Sequence, residues 1–375
     1  MHSAVDVLIA GGGPVGAFLA LCLRDSPLSV LHVDSNAPSA KRPIALSYGS
    51  RLLLERHNVF ARIDNTSIQT IHVSQRGGFG RVLMTAKEHG LPALGYVAEY
   101  GAIRAAISDS AKPTLGEVTG WAAQQGAVSV KVQSAEAGTD EYRARLLVLA
   151  DGLSETTRNT HAVSVSRDYQ QCAIVAQVRT QIPHRNIAYE RFTDQGPLAL
   201  LPNGEGYALV WCVNPSAAPS LVAMPKEEFL AQLGAGFGSR VGPFVAIDER
   251  QQFPLSLRYV KQFTDPGIVA IGNAAQALHP VAGQGLNLGL RDAWELATAL
   301  KVPNNFNGQA DFAARFMQQR RADRRIEIGL TDALVRIFSR RDPVLGVLRG
   351  AALFAIDTLP AARRLVARTM MFGLR

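Results

Sequence analysis

Short apolar runs, each followed by glycine or a polar residue, recur along the chain. The first run, residues 5–10, precedes Gly-Gly-Gly-Pro-Val-Gly at 11–16, and a mostly apolar segment follows at 17–24. An apolar run of this length beside turn residues is typical of a buried parallel strand, and the segment after the turn is typical of a helix. The pattern therefore predicts a strand, a glycine-rich turn and a helix at the start of the chain.

Three more apolar runs end in residues with small or polar side chains. They are 29–33 followed by Asp34, 146–150 followed by Asp151 and Gly152, and 267–272 followed by Asn273. Ligands of open α/β sheets bind beyond the carboxyl ends of the strands. We therefore expect these strand ends to converge on one ligand.

The middle of the chain alternates strand-forming residues with turn residues. Residues 172–212 predict antiparallel strands, and together with 71–84 they are expected to form a separate sheet. From Leu286 to Leu300, apolar residues recur at spacings of 4, 3, 4 and 3, which predicts an amphipathic helix. The predicted fold class is α/β, with a Rossmann-like domain, an inserted antiparallel-sheet domain and C-terminal helices.

The glycine-rich turn has the spacing of a dinucleotide-binding motif, G-x-G-x-x-G. Gly11 would permit the tight turn, Gly13 would let the backbone approach a pyrophosphate, and Gly16 would let the helix pack closely on the strand. Asp34 follows 18 residues beyond Gly16, where a carboxylate can accept hydrogen bonds from a ribose. This carboxylate favours FAD or NAD over NADP. The alternative is a glycine-rich turn that only packs.

Composition excludes several classes of protein. The chain has 375 residues, 47% of them hydrophobic and 19% charged, which is typical of a soluble globular protein. Cys22, Cys172 and Cys212 are too few and too scattered for a disulfide framework or a zinc site, so we expect three buried thiols and no metal. We find no signal peptide and no uncharged apolar run of about 20 residues. The expected location is the cytoplasm, with the inner face of the membrane as the alternative.

The net charge of +8 is concentrated at one end of the sequence. Residues 315–375 contain 13 arginines, no lysine and five acidic residues, so residues 1–314 are neutral overall. A localised surplus points to a local anionic partner, such as lipid headgroups or an acidic protein, and we expect no nucleic acid partner. The alternative is an arginine bias that comes from a GC-rich genome.

The last part of the arginine-rich region predicts a basic amphipathic helix. Arg364, Arg368 and Arg375 fall on one side, and apolar residues span the opposite side. Such a helix can lie in a membrane interface, or it can pack its apolar face on its own domain with solvated arginines. The pattern does not choose between these two arrangements.

The sequence resembles the FAD-dependent aromatic hydroxylases of ubiquinone biosynthesis, within the wider para-hydroxybenzoate hydroxylase group of flavin monooxygenases. It looks most like the 2-polyprenyl-6-methoxyphenol hydroxylase branch. The most specific stretches are Gly11 to Gly16, Arg42 to Ser47, Ala150 to Gly152 and Gly272 to Asp292, and shorter matches occur at 189–193, 196–202, 210–212 and 318–323. The resemblance therefore covers nearly the whole chain.

The resemblance implies a flavin monooxygenase that hydroxylates the ring of a polyprenylated phenol with O2. Reduced FAD would react with oxygen, and the resulting C4a-hydroperoxide would pass its terminal OH to the ring. NAD(P)H would dock transiently as reductant, and an enzyme complex of ubiquinone biosynthesis would be a partner. Two alternatives remain open: a flavin-dependent lipid reductase or dehydrogenase, and a flavin-free accessory subunit.

The resemblance also implies a division of the chain into domains. The expected segments are 1–70, 96–170 and 251–330 for a discontinuous FAD-binding domain, 71–95 and 171–250 for a substrate sheet domain, and 331–375 for an arginine-rich helical region.

In this family the glycine turn holds the pyrophosphate, and the loop at 280–287 lines the flavin ring. The expected cofactor-binding residues are Gly11, Gly13, Pro14, Val15, Gly16, Asp34, Arg42, Asp151, Gly152, Asn273, Pro280, Gly283, Gly285, Leu286 and Asn287. His279 and Pro280 would adjoin the ring, but the chemistry belongs to the flavin and no catalytic side chain is assigned. Leu200, Pro202 and Trp211 are substrate-pocket candidates, with a plain core role as the alternative.

The chain departs from the family pattern at three places. Asn273 replaces the usual Asp, Glu155 replaces a serine of the DG motif, and no polar flavin-contacting residue is evident around Tyr100. An amide at position 273 can still hydrogen bond a ribityl hydroxyl, but it brings no charge.

Overall fold

The computed structural model describes residues 3–36, 42–124, 126–134, 138–152, 162–263, 265–277, 283–303, 305–306, 312–320, 329 and 343–373. Its helices are α1 (Pro14–Leu23), α2 (Tyr48–Glu55), α3 (Tyr100–Ala111), α4 (Ala218–Ala223), α5 (Lys226–Phe237), α6 (Gln284–Lys301), α7 (312–320), α8 (Pro343–Thr358) and α9 (Pro360–Phe372). Short 3-10 turns occur at Phe60–Arg62, Lys87–His89, Ser239–Val241 and Gly272–Ala274.

The strands, given next in chain order, fall into three sheets. They are β1 (Ser3–Ala10), β2 (Val30–Asp34), β3 (Pro43–Ser47), β4 (Asn65–Ile68), β5 (Thr70–Gln75), β6 (Arg81–Thr85), β7 (Gly95–Glu99), β8 (Thr114–Leu115), β9 (Glu117–Gln124), β10 (Ala127–Ser134), β11 (Gly138–Leu149), β12 (Ala162–Thr180), β13 (Ile187–Phe192), β14 (Pro197–Asn203), β15 (Gly206–Val213), β16 (Phe244–Ile247), β17 (Gln251–Phe263), β18 (Ile268–Ala270) and β19 (Gln276–Ala277).

The first sheet is built on parallel strands in the order β8-β2-β1-β11-β18. The hairpin β9–β10 extends it by antiparallel pairing with the amino-terminal part of β11. Val7, Ile9 and Val148 of this sheet join Phe18 of α1 and Leu290 of α6 in one buried core. This arrangement confirms the Rossmann-like domain, because the carboxyl ends of β1, β2, β11 and β18 lie along one edge.

The nine-stranded sheet has the order β19-β17-β12-β15-β14-β13-β5-β6, with β16 beside β12. Its pairs are antiparallel except for β13 with β5, which run parallel. The predicted sheet that combines 71–84 with 172–212 is therefore confirmed, with one parallel pair. A small sheet of β3, β7 and β4 lies in the segment between α1 and α3.

The two faces of the nine-stranded sheet have different surroundings. Tyr189, Leu200 and Trp211 share one face and pack in a core with Phe229 and Leu233 of α5. The other face carries apolar side chains, among them Val73, Phe192 and Val210, together with Glu190. All three cysteines are buried free thiols, as expected.

Helices α8 and α9 pack against β6, the edge strand of the nine-stranded sheet. Leu353 of α8 and Met371 of α9 form a buried cluster with Val82 and Met84. Asp357 accepts a hydrogen bond of 2.9 Å from the backbone N–H of Leu83, which satisfies a donor of the edge strand. None of the helices in the described ranges is long and apolar enough to cross a bilayer.

A buried ion cluster joins α6 to α7. Arg320 contacts Asp292 at 2.6 Å and Glu295 at 2.7 Å, and Arg320 and Asp292 are almost fully buried. Asp292 also accepts hydrogen bonds from the N–H of Gly272 and the amide of Gln276. The cluster therefore fixes the turn after β18, where one of the predicted ligand-binding strand ends lies.

Candidate functional site

The glycine-rich turn joins β1 to α1 and brings its backbone close to β11. Gly11 has φ +122°, and a Cβ there would lie 2.5 Å from the backbone N of Asp151. A Cβ on Gly16 would collide with the carbonyl of Gly11 and lie 3.1 Å from Ala150. At Gly13, by contrast, the one neighbour that a Cβ would meet among the described residues is the hydroxyl of Tyr100, at 3.5 Å. Gly11 and Gly16 are thus required by packing, and Gly13 leaves space at the helix start.

Asp34 ends β2 and is held by an arginine that the sequence analysis missed. Arg104 donates from Nη2 to a carboxylate oxygen of Asp34 at 2.9 Å and from Nε to the carbonyl of Gly12 at 2.9 Å. Asp34 is only 5% exposed and also accepts from the backbone N–H of Asn36. A carboxylate has about four lone-pair positions, so it retains capacity for a ribose hydroxyl.

Arg104 is a polar side chain near Tyr100, where the sequence shows no evident polar flavin-contacting residue, and it lines the cavity described below. It follows Tyr100 by one turn of α3, and the i, i+4 spacing puts both side chains on one face of the helix. That spacing was the available signal.

Arg42 lies over the ring of Tyr100, with its guanidinium carbon 5.0 Å from the ring centroid. The backbone N–H of Tyr100 donates to the carbonyl of Arg42. Burial raises the pKa of the Tyr100 hydroxyl, although the cations of Arg42 and Arg104 oppose that rise. A protonated phenol beside two guanidinium groups therefore borders the space in front of the glycine turn.

A second helix start faces the same space. Gly283 precedes α6 with φ +61°, and no side chain caps the first turns of either α1 or α6. Uncapped helix N-termini offer backbone N–H donors to negative groups. Asn287, by contrast, donates to the carbonyls of Ala45 and Gly283 and accepts from the N–H of Ser47. Its side chain ties β3 to the helix start.

These elements surround a cavity of about 740 Å³ that reaches from the glycine turn to the nine-stranded sheet. The predicted cofactor residues that line it are Gly11, Gly13, Pro14, Val15, Asp34, Arg42, Asp151, Gly152, Asn273, Gly283, Gly285 and Leu286. Gly16 and Asn287 are not among the lining residues. His279 and Pro280 lie outside the described residues.

The far end of the cavity is apolar. It is lined by Ile71, Val73, Val82, Met84, Ala188, Phe192, Ala199, Leu201 and Val210 of the sheet and by Leu353, Ile356, Val366 and Met370 of α8 and α9. Glu190 is the acidic side chain of this end, and burial raises its pKa to about 7. No pattern in the sequence marks Glu190 as a residue of the cavity.

The three substrate-pocket candidates do not line this cavity. Leu200 and Trp211 lie in the core on the opposite face of the sheet, and Pro202 shares the face of Leu200 because side chains alternate along a strand. Leu201 and Val210, their neighbours in sequence, point to the cavity instead. The structure therefore puts Leu200 and Trp211 in the alternative, core position.

The residues present fit FAD. The open position at Gly13 suits a pyrophosphate, and the buried Asp34 suits a ribose. The uncapped starts of α1 and α6 suit two negatively polarised groups. Among the described residues, no group of side chains could hold a metal ion.

Comparisons with known proteins agree with this geometry. A family model for the FAD binding domain matches residues 113–323. Ubiquinone hydroxylase UbiL of Rhodospirillum rubrum is 31% identical, over 99% of this chain and 90% of that protein. The 3-demethoxyubiquinol 3-hydroxylase of Escherichia coli is 27% identical, over 97% of both chains.

The structure of p-nitrophenol 4-monooxygenase PnpA from Pseudomonas putida superposes with a TM-score of 0.79 over the whole of both chains, at 17% identity, which shows a shared fold. The family model matches more than half of the chain, and UbiL matches it over nearly its whole length. The chain therefore belongs to the FAD-binding-domain family of FAD-dependent monooxygenases.

Proposed function

We propose that the protein hydroxylates the aromatic ring of a polyprenylated phenol in ubiquinone biosynthesis. In this reaction a ring C–H becomes C–OH, one atom of O2 enters the product and the other leaves as water, and NAD(P)H supplies two electrons. The observation that carries the proposal is the apolar end of the cavity, which continues from the cofactor-binding strand ends and suits a ring with an apolar tail. The names of the relatives support the same pathway.

FAD, when bound, takes electrons from the reductant and delivers the oxygen atom to the ring. The backbone at the start of α1 would hold its pyrophosphate, Asp34 and Arg104 would bind its adenosine half, and Asn273 would meet its ribityl chain. The start of α6 would stabilise negative charge on the ring system. The apolar walls would exclude water.

Glu190 would orient the phenol. Its carboxyl group faces the cavity from β13, between Val73 of β5 and Ala199 of β14. The carboxyl group of Glu190 makes no hydrogen bond or ion pair within the described part of the chain, so it is available to the substrate. By accepting a hydrogen bond from the phenol hydroxyl, it would raise electron density in the ring and fix the position of the attacked carbon.

A lipid-dissolved substrate requires a route from a membrane. Val366 and Met370 of α9, with Leu353 and Ile356 of α8, wall the apolar end of the cavity. We include contact with the inner face of the membrane, and with other enzymes of the pathway, in the proposed function.

The test is turnover of a short-chain polyprenyl phenol by the FAD-loaded protein under labelled oxygen. We expect one labelled atom in the product and oxidation of NADH or NADPH. Oxidation or reduction of the lipid without label would support the reductase alternative instead. Protein purified without a flavin spectrum, and unable to take up added FAD, would support the accessory-subunit alternative.

A variant pair tests the position of the apolar end. Val366→Trp fills the cavity wall and should raise KM for a prenylated phenol while leaving flavin content unchanged. Leu365→Trp, at a neighbouring position that is 64% exposed, is the matched control and should behave as wild type. Equal KM values for both variants would contradict the placement of the prenyl chain.

A further inference from the structure

A second cavity, of about 550 Å³, lies beside β5 and is bordered by positive charge. Arg81 begins β6, Arg191 lies on β13, and Arg240 lies in the turn after α5. Together with His72 of β5 they form what we call the arginine cleft. Arg191 and Glu190 are successive residues of one strand, so the cleft and the substrate cavity lie on opposite faces of the sheet.

The positive charges of the arginine cleft are only partly balanced. Asp357 is the acidic residue among the lining residues, and its Oδ1 accepts from the N–H of Leu83. Arg191 donates to the hydroxyl of Ser74 at 3.2 Å, and its buried Nε has no partner within the described ranges. Burial lowers the pKa of Arg191, and Arg240 and Arg76 lower it further. A bound anion would offset the repulsion between these guanidinium groups.

His72 adds an unsatisfied polar group. It is only 5% exposed, and neither ring nitrogen bonds to another residue of the described chain. Burial, with Arg240, Arg81 and Arg191, lowers the pKa of His72 to about 4, so the ring is neutral at neutral pH. A neutral imidazole has one N–H donor. Buried polar groups without partners are rare in folded proteins, and an anion in the cleft would supply the missing acceptor.

Exposed apolar side chains lie beside the arginine cleft: Phe354 lines it, and Phe79 lies between the lining residues Gly78 and Gly80. Phe79 is 53% exposed and Phe354 is 59% exposed, and Val347 and Leu348 are exposed on the same helix as Phe354. The turn of Phe79 contacts α8 closely, since a Cβ on Gly350 would lie 2.7 Å from the carbonyl of Phe79. Exposed apolar side chains around a cationic pocket match the boundary between lipid tails and charged headgroups.

We propose that the arginine cleft binds the phosphate of an anionic phospholipid headgroup, with Phe79, Val347 and Phe354 entering the lipid interface. Helix α8 would then face the membrane on one side, while Leu353 and Ile356 face the substrate cavity on the other. This inference rests on the proposed function, because a headgroup site is useful to the protein if its substrate is a lipid. Vesicle binding requires no turnover, so the two proposals can fail separately.

The experiment is co-sedimentation of the FAD-loaded full chain with phosphatidylcholine vesicles, with and without phosphatidylglycerol, at fixed salt. Wild type should bind only the vesicles that contain phosphatidylglycerol. Arg81→Gln/Arg240→Gln should weaken that binding by about tenfold or more, because each arginine near the surface contributes roughly a fivefold factor. Phe354→Ala should weaken it without changing the charge.

Arg364→Gln/Arg368→Gln is the matched control, since it removes two exposed arginines from α9 and should leave vesicle binding unchanged. Equal weakening by both pairs, or by neither, overturns the proposal. Inorganic phosphate, followed through the His72 ring signals in NMR, separates the two sources of the anion. If phosphate saturates the cleft while Arg81→Gln/Arg240→Gln still binds vesicles as wild type does, the ligand is a soluble phosphate and the lipid proposal is wrong.

Discussion

Glu190 puts an ionisable group in an otherwise apolar part of the cavity, and this has a cost for stability. Its pKa of about 7 in the folded chain exceeds the ordinary value of 4.5, so between these pH values the folded state binds the extra proton. Stability therefore falls as pH rises through this range. We expect Glu190→Gln to be more stable than wild type by about 3 kcal/mol at pH 8, and about equal below pH 4.5, as measured by urea unfolding.

Glu205→Gln is the control for this prediction, because Glu205 is an exposed residue between β14 and β15. It should leave stability unchanged at both pH values. If Glu190→Gln gave the same pH profile of stability as wild type, the carboxyl group would not be buried as described.

Gly13 tests the cofactor site without a change in fold. A side chain at this position has space beside Tyr100, and it would project into the place proposed for the pyrophosphate. Gly13→Glu should therefore lose its flavin absorbance and keep its circular dichroism spectrum, because a carboxylate would repel the phosphates. Gly120→Glu, on an open position of β9, should retain flavin. A yellow Gly13→Glu protein would refute the site.

Individual site residues could be predicted where backbone geometry demands one residue type. Gly11 was predicted because only glycine tolerates its φ and its approach to β11. Arg104 was missed because its contacts with Gly12 and Asp34 join segments about 70 residues or more apart. No local sequence pattern indicates a contact between segments so far apart in the chain.

At the scale of elements, we expect the ion cluster between α6 and α7 to contribute strongly to the stability of the fold. Replacing Arg320 by Met leaves the buried carboxylate of Asp292 without its cation, which should lower the free energy of unfolding by about 3–5 kcal/mol. Arg24→Met removes an exposed arginine and should change stability by less than about 1 kcal/mol. Chemical denaturation of both variants measures the difference, and similar losses for the two would contradict the burial of the cluster.

The strands were predictable as elements, but the direction of their faces was not. Leu200, Leu201, Val210 and Trp211 are all apolar, because both faces of the nine-stranded sheet are covered. Alternation of polar and apolar residues normally identifies the inner face, and here it is missing. The sequence therefore contains no pattern that separates Leu200, Pro202 and Trp211 from the residues that line the cavity.

Helix α9 was predicted as amphipathic, with two possible roles. Ala367 and Met371 are buried against the chain's own sheet, which is the packed arrangement. Deleting 360–375 would therefore also remove Val366 and Met370 from the cavity wall, so point substitutions give cleaner tests of membrane contact than truncation.

At the scale of the molecule, the position of the charge surplus says less than expected about binding. The +8 charge lies in residues 315–375, yet the arginine cleft is built from residues of the balanced part of the chain. Three arginines brought together by β6, β13 and the turn after α5 make a stronger local field than their share of the net charge indicates. Only the fold brings them together.

The shared cavity should make the two larger sheets unfold together. With Trp121 and Trp294 replaced by Phe, Trp211 reports on the core of the nine-stranded sheet. Adding FAD at about 100 times its Kd should stabilise the protein by about 2.7 kcal/mol. The Trp211 fluorescence midpoint should rise with the circular dichroism midpoint. A rise in only one of them would indicate that the sheets unfold independently.

The alternation along β13 also restricts how this gene can change. Glu190 faces the substrate cavity and Arg191 faces the arginine cleft, although they are adjacent in sequence. An insertion or deletion of a single codon within β13 would rotate every later side chain to the other face. A cation would then enter the apolar cavity, and a carboxylate would enter the cleft. We therefore expect lineages of this protein to accept substitutions in β13 but to reject length changes there, and to collect them in the flanking turns.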